Sequence, residues 1–202
     1  RMSPERVLVI GDWTGTLALS LRGAGSTVVE HDVATLDEER PLKGEQFDLI
    51  VSLSSVDRVN DLPGALLHMR NALADDGLMV ASFLGAGSLP NLRRAMIASE
   101  PDRPTARMHP LVDNQAASAL LQRALFKRQV VDSRRLTVSF ASLDRLVSDL
   151  RDQGLGSTLA NVPPPLGKRA KKRADNAFMT AANDKGRVLE IFEILTLTGW
   201  KD

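Results

Sequence analysis

Two short stretches carry residues whose types and spacing suit ligand chemistry. Val7-Leu8-Val9-Ile10 leads into Gly11-Asp12-Trp13-Thr14-Gly15. This reads as a buried strand that breaks into a glycine-containing turn and opens a helix, an arrangement that brings bare backbone close to a nucleotide-like ligand. Phe47-Asp48-Leu49-Ile50-Val51-Ser52 reads as a further buried strand with an acidic start. Nearly all apolar after Asp48, it suits a parallel sheet covered on both faces. Together the two point to a Rossmann-like α/β sheet built around a nucleoside cofactor.

Other candidates carry less. His31, His68 and His109 share no ligand spacing, so no metal site is expected from them. His68 suits a helix surface. His109, before Pro110, suits a loop that either caps a pocket or is ordinary. The chain has no cysteine, which excludes disulfides, zinc-thiolate sites and thiol nucleophiles. Gly85-Ala86-Gly87-Ser88 lacks the Lys-Ser/Thr ending of a phosphate loop and reads as a flexible hinge after a strand. Lys168, Arg169, Lys171, Lys172 and Arg173 form a basic cluster. It could meet nucleic acid, an acidic protein or an anionic membrane, but it reads first as a solvated helix face, because no aromatic interleaves it. No Gly-x-Ser-x-Gly elbow supports a hydrolase.

The elements that must position these residues follow from periodicity. Strands are expected at 7–10, 26–31, 47–53, 78–83, 129–140 and 188–197. Leu17, Ala18 and Leu21 mark a helix over 16–22 that Gly23-Ala24-Gly25 ends. Leu62, Leu66, Met69 and Leu73 lie on one helical face, with Asp61 as cap and Pro63 in the first turn. Asp75-Asp76-Gly77 is a turn signal before the next strand. Helices are also expected over 89–99, around 117–124, over 143–150, and over 167–183 after the stiff connector Pro163-Pro164-Pro165. The helix–turn–strand succession is that of a mostly parallel sheet.

A chain of 202 residues with 43% hydrophobic and 25% charged content fits one domain with a real core. The expected division is a cofactor-binding half over 1–100 and a second half over 101–202. The net charge of +1 indicates no polyanion partner. No stretch reads as a membrane span or signal peptide, and with no cysteine a cytoplasmic chain is expected. It begins at Arg1 rather than Met, which leaves an upstream segment open.

These residues resemble the class I S-adenosylmethionine-dependent methyltransferases. Within them the chain looks like the branch of the mitochondrial complex I assembly factor with a methyltransferase fold, and its bacterial relatives. The malonyl-carrier-protein methyltransferases are more distant look-alikes. The resemblance rests on Phe47-Asp48-Leu49-Ile50-Val51-Ser52, Val59-Asn60-Asp61-Leu62-Pro63-Gly64, Leu73-Ala74-Asp75-Asp76-Gly77-Leu78, Asp149-Leu150-Arg151-Asp152-Gln153-Gly154 and the closing Thr198-Gly199-Trp200. It implies that S-adenosylmethionine lies against Gly11, Asp12, Trp13 and Gly15, the acids Glu30 and Asp32, and the loop of Leu53, Ser54 and Ser55. It also implies a methyl acceptor entering near Gly85 and His109, or protein-arginine hydroxylation as in the mitochondrial relative. The alternative is a non-catalytic assembly factor that binds a protein partner.

The chain departs from the family pattern at three points. Trp13 stands where the middle glycine of Gly-x-Gly-x-Gly belongs, and its indole would fill the cofactor's space unless it points away. Asp12 adds negative charge near the place of the cofactor carboxylate. The stretch from Ile10 to Phe47 holds one strand candidate, whereas two β-α-β steps need about 30 residues each. The sheet is therefore expected to be about one strand–helix unit short in its N-terminal half, with the ribose and adenine acids reduced to Glu30 and Asp32. Finally, Asp57 and Arg58 replace a His-Trp pair of the relatives.

Overall fold

A computed structural model describes residues 4–33, 36–42, 46–102, 105–155, 159 and 161–202. Short apolar runs form β1 (Arg6–Ile10), β2 (Thr27–His31) and β3 (Phe47–Leu53), with α1 (Thr16–Gly23) between the first two. Then come a 3-10 turn (Val56–Arg58), α2 (Leu62–Ala72), β4 (Leu73–Leu84), α3 (Pro90–Ser99) and α4 (Asn114–Arg123). The chain closes with β5 (Lys127–Phe140), α5 (Leu143–Asp152), α6 (Lys168–Met179) and β6 (Val188–Trp200). The strands make one six-stranded sheet in the order β2-β1-β3-β4-β6-β5. β1 pairs parallel with β2 and β3, β3 pairs parallel with β4, and β6 runs antiparallel to β4. The fold is α/β and Rossmann-like, as expected.

β2 lies beside β1 at the sheet edge, so it is the strand that follows β1 directly in a doubly wound sheet. The return from β2 to β3 needs a right-handed crossover. Among the described residues no helix or strand fills that crossover over 32–46. Leu36 and Leu42 pack on the core from this segment, and Glu39 accepts the Asp61 N–H at 3.2 Å. Two leucines set on the core and a carboxylate tied to the start of α2 are thus what the described part of this segment offers where a strand–helix unit is missing.

Two boundaries differ most from expectation. β4 begins at Leu73 rather than Leu78, because Leu73 pairs with Phe47 before the register shifts and Leu78 pairs with Leu49. The Asp75-Asp76-Gly77 turn is an excursion within the strand, with Asp76 at φ +60°. α6 ends at Met179, short of Asn183.

The chain forms two compact units, both discontinuous in sequence. The first comprises Arg1–Gly85, Val112–Arg134 and Ile194–Asp202. Its core sets Leu8, Ile10, Ile50, Met79, Ala81, Leu195 and Leu197 of the strands against Leu66 and Met69 of α2 and Leu121 of α4. α2 is capped by Asp61, which accepts the Gly64 N–H at 3.0 Å. Each fully buried Leu, Ile or Met contributes about 2 kcal/mol. The second unit comprises Ala86–Leu111 and Arg135–Glu193. There Leu92 and Ala95 of α3, Leu146 and Leu150 of α5, and Ala174 and Phe178 of α6 close on Phe140 and Val188.

Candidate functional site

The register aligns Ile10 with His31 and with Ser52, and Ser52 with Ala81. The carboxyl ends of four parallel strands therefore lie on one side of the sheet. The chain leaves β1 for β2 on one flank and then crosses to β3 on the other. The point between β1 and β3 is the topological switch, where doubly wound sheets form their ligand crevice.

Gly11 stands at that point with φ +78°. A Cβ there would lie 2.2 Å from the Leu53 carbonyl oxygen and 2.9 Å from Val33 Cγ2, so glycine is required by the close approach of the strand ends. Gly15, at φ +66°, opens α1 and has nothing within 4 Å of the place of a Cβ. Between them Asp12 turns its carboxylate onto its own chain. Oδ2 accepts the Ala18 N–H of α1 at 2.9 Å, and Oδ1 accepts the Thr14 hydroxyl at 3.2 Å. The Ala18 N–H holds the Asp12 carboxyl below the usual carboxylate range, with the Thr14 hydroxyl adding to the effect. Trp13 is 63% exposed, so its indole points into solvent and does not fill the interior of the fold.

At the end of β3, Ser54 adopts φ +49° and donates its N–H to the Ser82 carbonyl at 2.8 Å. Ser52 and Ser55, both buried, share a hydroxyl hydrogen bond of 2.6 Å. Asp57 is buried and accepts the Leu84 N–H at 3.3 Å, which ties the 3-10 turn to β4. On β2, Glu30 pairs with Arg22 of α1. It aligns with Val9, one residue short of the strand end. Asp32 lies just beyond the strand end, and its carbonyl accepts the Leu36 N–H at 3.0 Å. The structure thus brings Gly11, Asp12, Leu53 and the adjoining serines to the switch point. It leaves Trp13 in solvent and Glu30 in an ion pair.

The segment after β4 is not the flexible hinge its glycines suggest. The Ser88 hydroxyl donates to the Glu193 carbonyl at 3.0 Å and accepts the Glu193 N–H at 2.8 Å. Gly87 donates to the Glu193 carboxylate at 2.7 Å. Glu190, fully buried, accepts the Leu92 N–H at 2.9 Å and the Asn91 N–H at 3.2 Å, closing the N-terminus of α3. Sequence reading did not single out Glu190 and Glu193. The available signal was two acids interrupting the apolar run Val188-Leu189-Glu190-Ile191-Phe192-Glu193-Ile194-Leu195.

The basic cluster on α6 is partly consumed by structure. Lys171 pairs with Asp144 at 2.9 Å, which raises its pKa. Arg173 donates to the Ser99 carbonyl at 2.9 Å. His109 Nδ1 lies 3.0 Å from the Pro110 carbonyl oxygen. Among the described residues no group of acids and histidines could hold a metal ion, and no helix is long and apolar enough to cross a membrane.

No family model matches the chain. The mitochondrial arginine-hydroxylase NDUFAF5 of Homo sapiens is 28% identical over 193 residues, covering 90% of this chain and 54% of that protein. The malonyl-[acyl-carrier protein] O-methyltransferase of Geobacter sulfurreducens is 32% identical over 152 residues, covering 62% of this chain and 57% of that protein. The chain thus spans about half the length of these curated relatives. Among solved structures, the YcgJ protein of Bacillus subtilis has a TM-score of 0.57 at 14% identity, covering 98% of this chain and 92% of that one. Phosphoethanolamine N-methyltransferase 2 of Haemonchus contortus, solved with S-adenosyl-L-methionine, has a TM-score of 0.56 at 13% identity, covering 100% of this chain and 49% of that one. The chain has the Rossmann-like fold of the class I S-adenosylmethionine-dependent methyltransferases, and in sequence it is similar to the branch that holds the mitochondrial arginine hydroxylase and its bacterial relatives.

Proposed function

We propose that this chain is a single methyltransferase-like domain with a degenerate cofactor crevice, and that it works in the cytoplasm as a binding module for a protein partner. The observation that carries this reading is the Asp12 carboxylate accepting the Ala18 N–H at 2.9 Å. A helix N-terminus attracts one anion. Here the chain's own side chain fills that role, beside the position where the carboxylate of S-adenosylmethionine would lie. A second negative charge at the same spot is repelled. The ribose side is reduced as well, since Glu30 is committed to Arg22. The residues present therefore do not suit the donor. The resemblance to assembly factors supplies the alternative use of the fold.

A methyltransferase that still binds its donor is the second reading. It is favoured by the left-handed turn at Gly11 and by the exposure of Trp13, whose indole is not packed into the fold. Titration of S-adenosylmethionine, read by calorimetry and by thermal unfolding, separates the two. The expected result is no heat and an unchanged midpoint. Stabilisation of about 2.7 kcal/mol at a hundredfold excess over Kd would establish the second reading. Binding that appears only in a Trp13→Gly variant would identify the indole, and not Asp12, as the obstruction.

A further inference from the structure

We propose that β2 is a self-complementary edge that pairs antiparallel with β2 of a second copy of this chain about a two-fold axis. The sheet stops at β2 because the crossover over 32–46 adds no further strand among the described residues. In a parallel pair, alternate residues turn both backbone groups toward the neighbouring strand. Thr27 donates to the Glu5 carbonyl at 2.7 Å, and His31 accepts the Gly11 N–H at 3.2 Å. Thr27, Val29 and His31 therefore bond to β1, and Val28 and Glu30 direct their N–H and C=O groups outward. An unpaired strand edge is a template for another strand.

The sequence at this edge fits itself. With Val29 opposite Val29 of the second copy, Val28 falls opposite Glu30, and the two residues exchange both backbone hydrogen bonds. The two-fold repeats the exchange, and the Val28 carbonyl, which already accepts the Arg22 guanidinium, takes a second donor. Charge agrees with this register. Arg22 donates to the Val28 carbonyl at 3.3 Å and pairs with Glu30. In the antiparallel pair it stands beside Glu30 of the second copy as well, and ion pairs repeat symmetrically across the axis. Val29 packs against the core of the first unit, so the central pair continues an apolar layer. This inference is independent of whether the crevice binds a donor.

The test is sedimentation velocity over a concentration series, with hydrogen exchange at the Val28 and Glu30 amides. Self-association is expected, and both amides become protected as concentration rises. Val28→Pro removes an edge N–H without removing a bond to β1, and it should return the protein to monomer with its circular dichroism unchanged. Glu30→Lys sets like charge against Arg22 and should weaken association by about tenfold or more. The exchanged pair Arg22→Glu with Glu30→Lys should restore it. The charge variants carry the test if the proline variant does not fold. A protein that stays monomeric with both amides exchanging freely overturns the proposal. So does a dimer indifferent to these substitutions.

Discussion

The turn after β1 and the segment after β4 each carry glycines, each leads into a helix, and each helix N-terminus is closed by a carboxylate. They reach that end by opposite routes. Asp12 caps α1 from six residues away, in a partly exposed turn whose tryptophan stands in water. Glu190 caps α3 from a strand about a hundred residues later, fully buried, and Ser88 and Gly87 are bonded to Glu193 beside it. The first arrangement is local and loosely packed. The second is a long-range lock. The difference shows that a glycine-rich turn at a strand end says little about mobility until the partner of its backbone groups is known.

Four substitutions sharpen the contrast. The largest effect is expected at Gly11, where alanine meets both the left-handed backbone cost and the Leu53 carbonyl. A loss of about 4 kcal/mol in denaturant unfolding is expected, against about 1 kcal/mol for Gly15→Ala, which pays the backbone cost alone. Equal losses would mean that the strand ends do not meet at Gly11. Next is Glu190→Ala, which leaves the buried Leu92 N–H and the half-buried Asn91 N–H without an acceptor and should cost about 3 kcal/mol. A neutral result would reduce the lock to a surface-like cap. The smallest effect belongs to Asp12. Its carboxyl is held below the ordinary range, so its contribution is complete above that range and is lost as pH falls through the depressed native value. Stability measured from neutral to acid pH should lose part of its fall in Asp12→Asn, and an unchanged acid profile would show that the carboxylate does not act on α1.

Much of this arrangement is legible in the residues. β1 and β3 are short apolar runs with only one exit each, and α2 announces itself through Asp61, Pro63 and the spacing of Leu62, Leu66 and Met69. The missing strand–helix unit follows from counting residues before Phe47. The site was half legible. Glycines and a tryptophan at set spacing mark the switch point, but the direction of the indole and the capture of Ala18 by Asp12 depend on backbone angles that spacing does not fix. Glu190 and Glu193 were not legible as caps, because their partners are remote in sequence. The early start of β4 was hidden because a turn signal at Asp75-Asp76-Gly77 is identical whether it precedes a strand or interrupts one.

β6 carries a consequence for biosynthesis. Leu195 and Leu197 complete the first core, and Val188 with Glu190 completes the second. A nascent chain can therefore seal neither core before β6 emerges from the ribosome. Until then both apolar faces stay open, which makes the emergence of β6 the step that chaperones must guard.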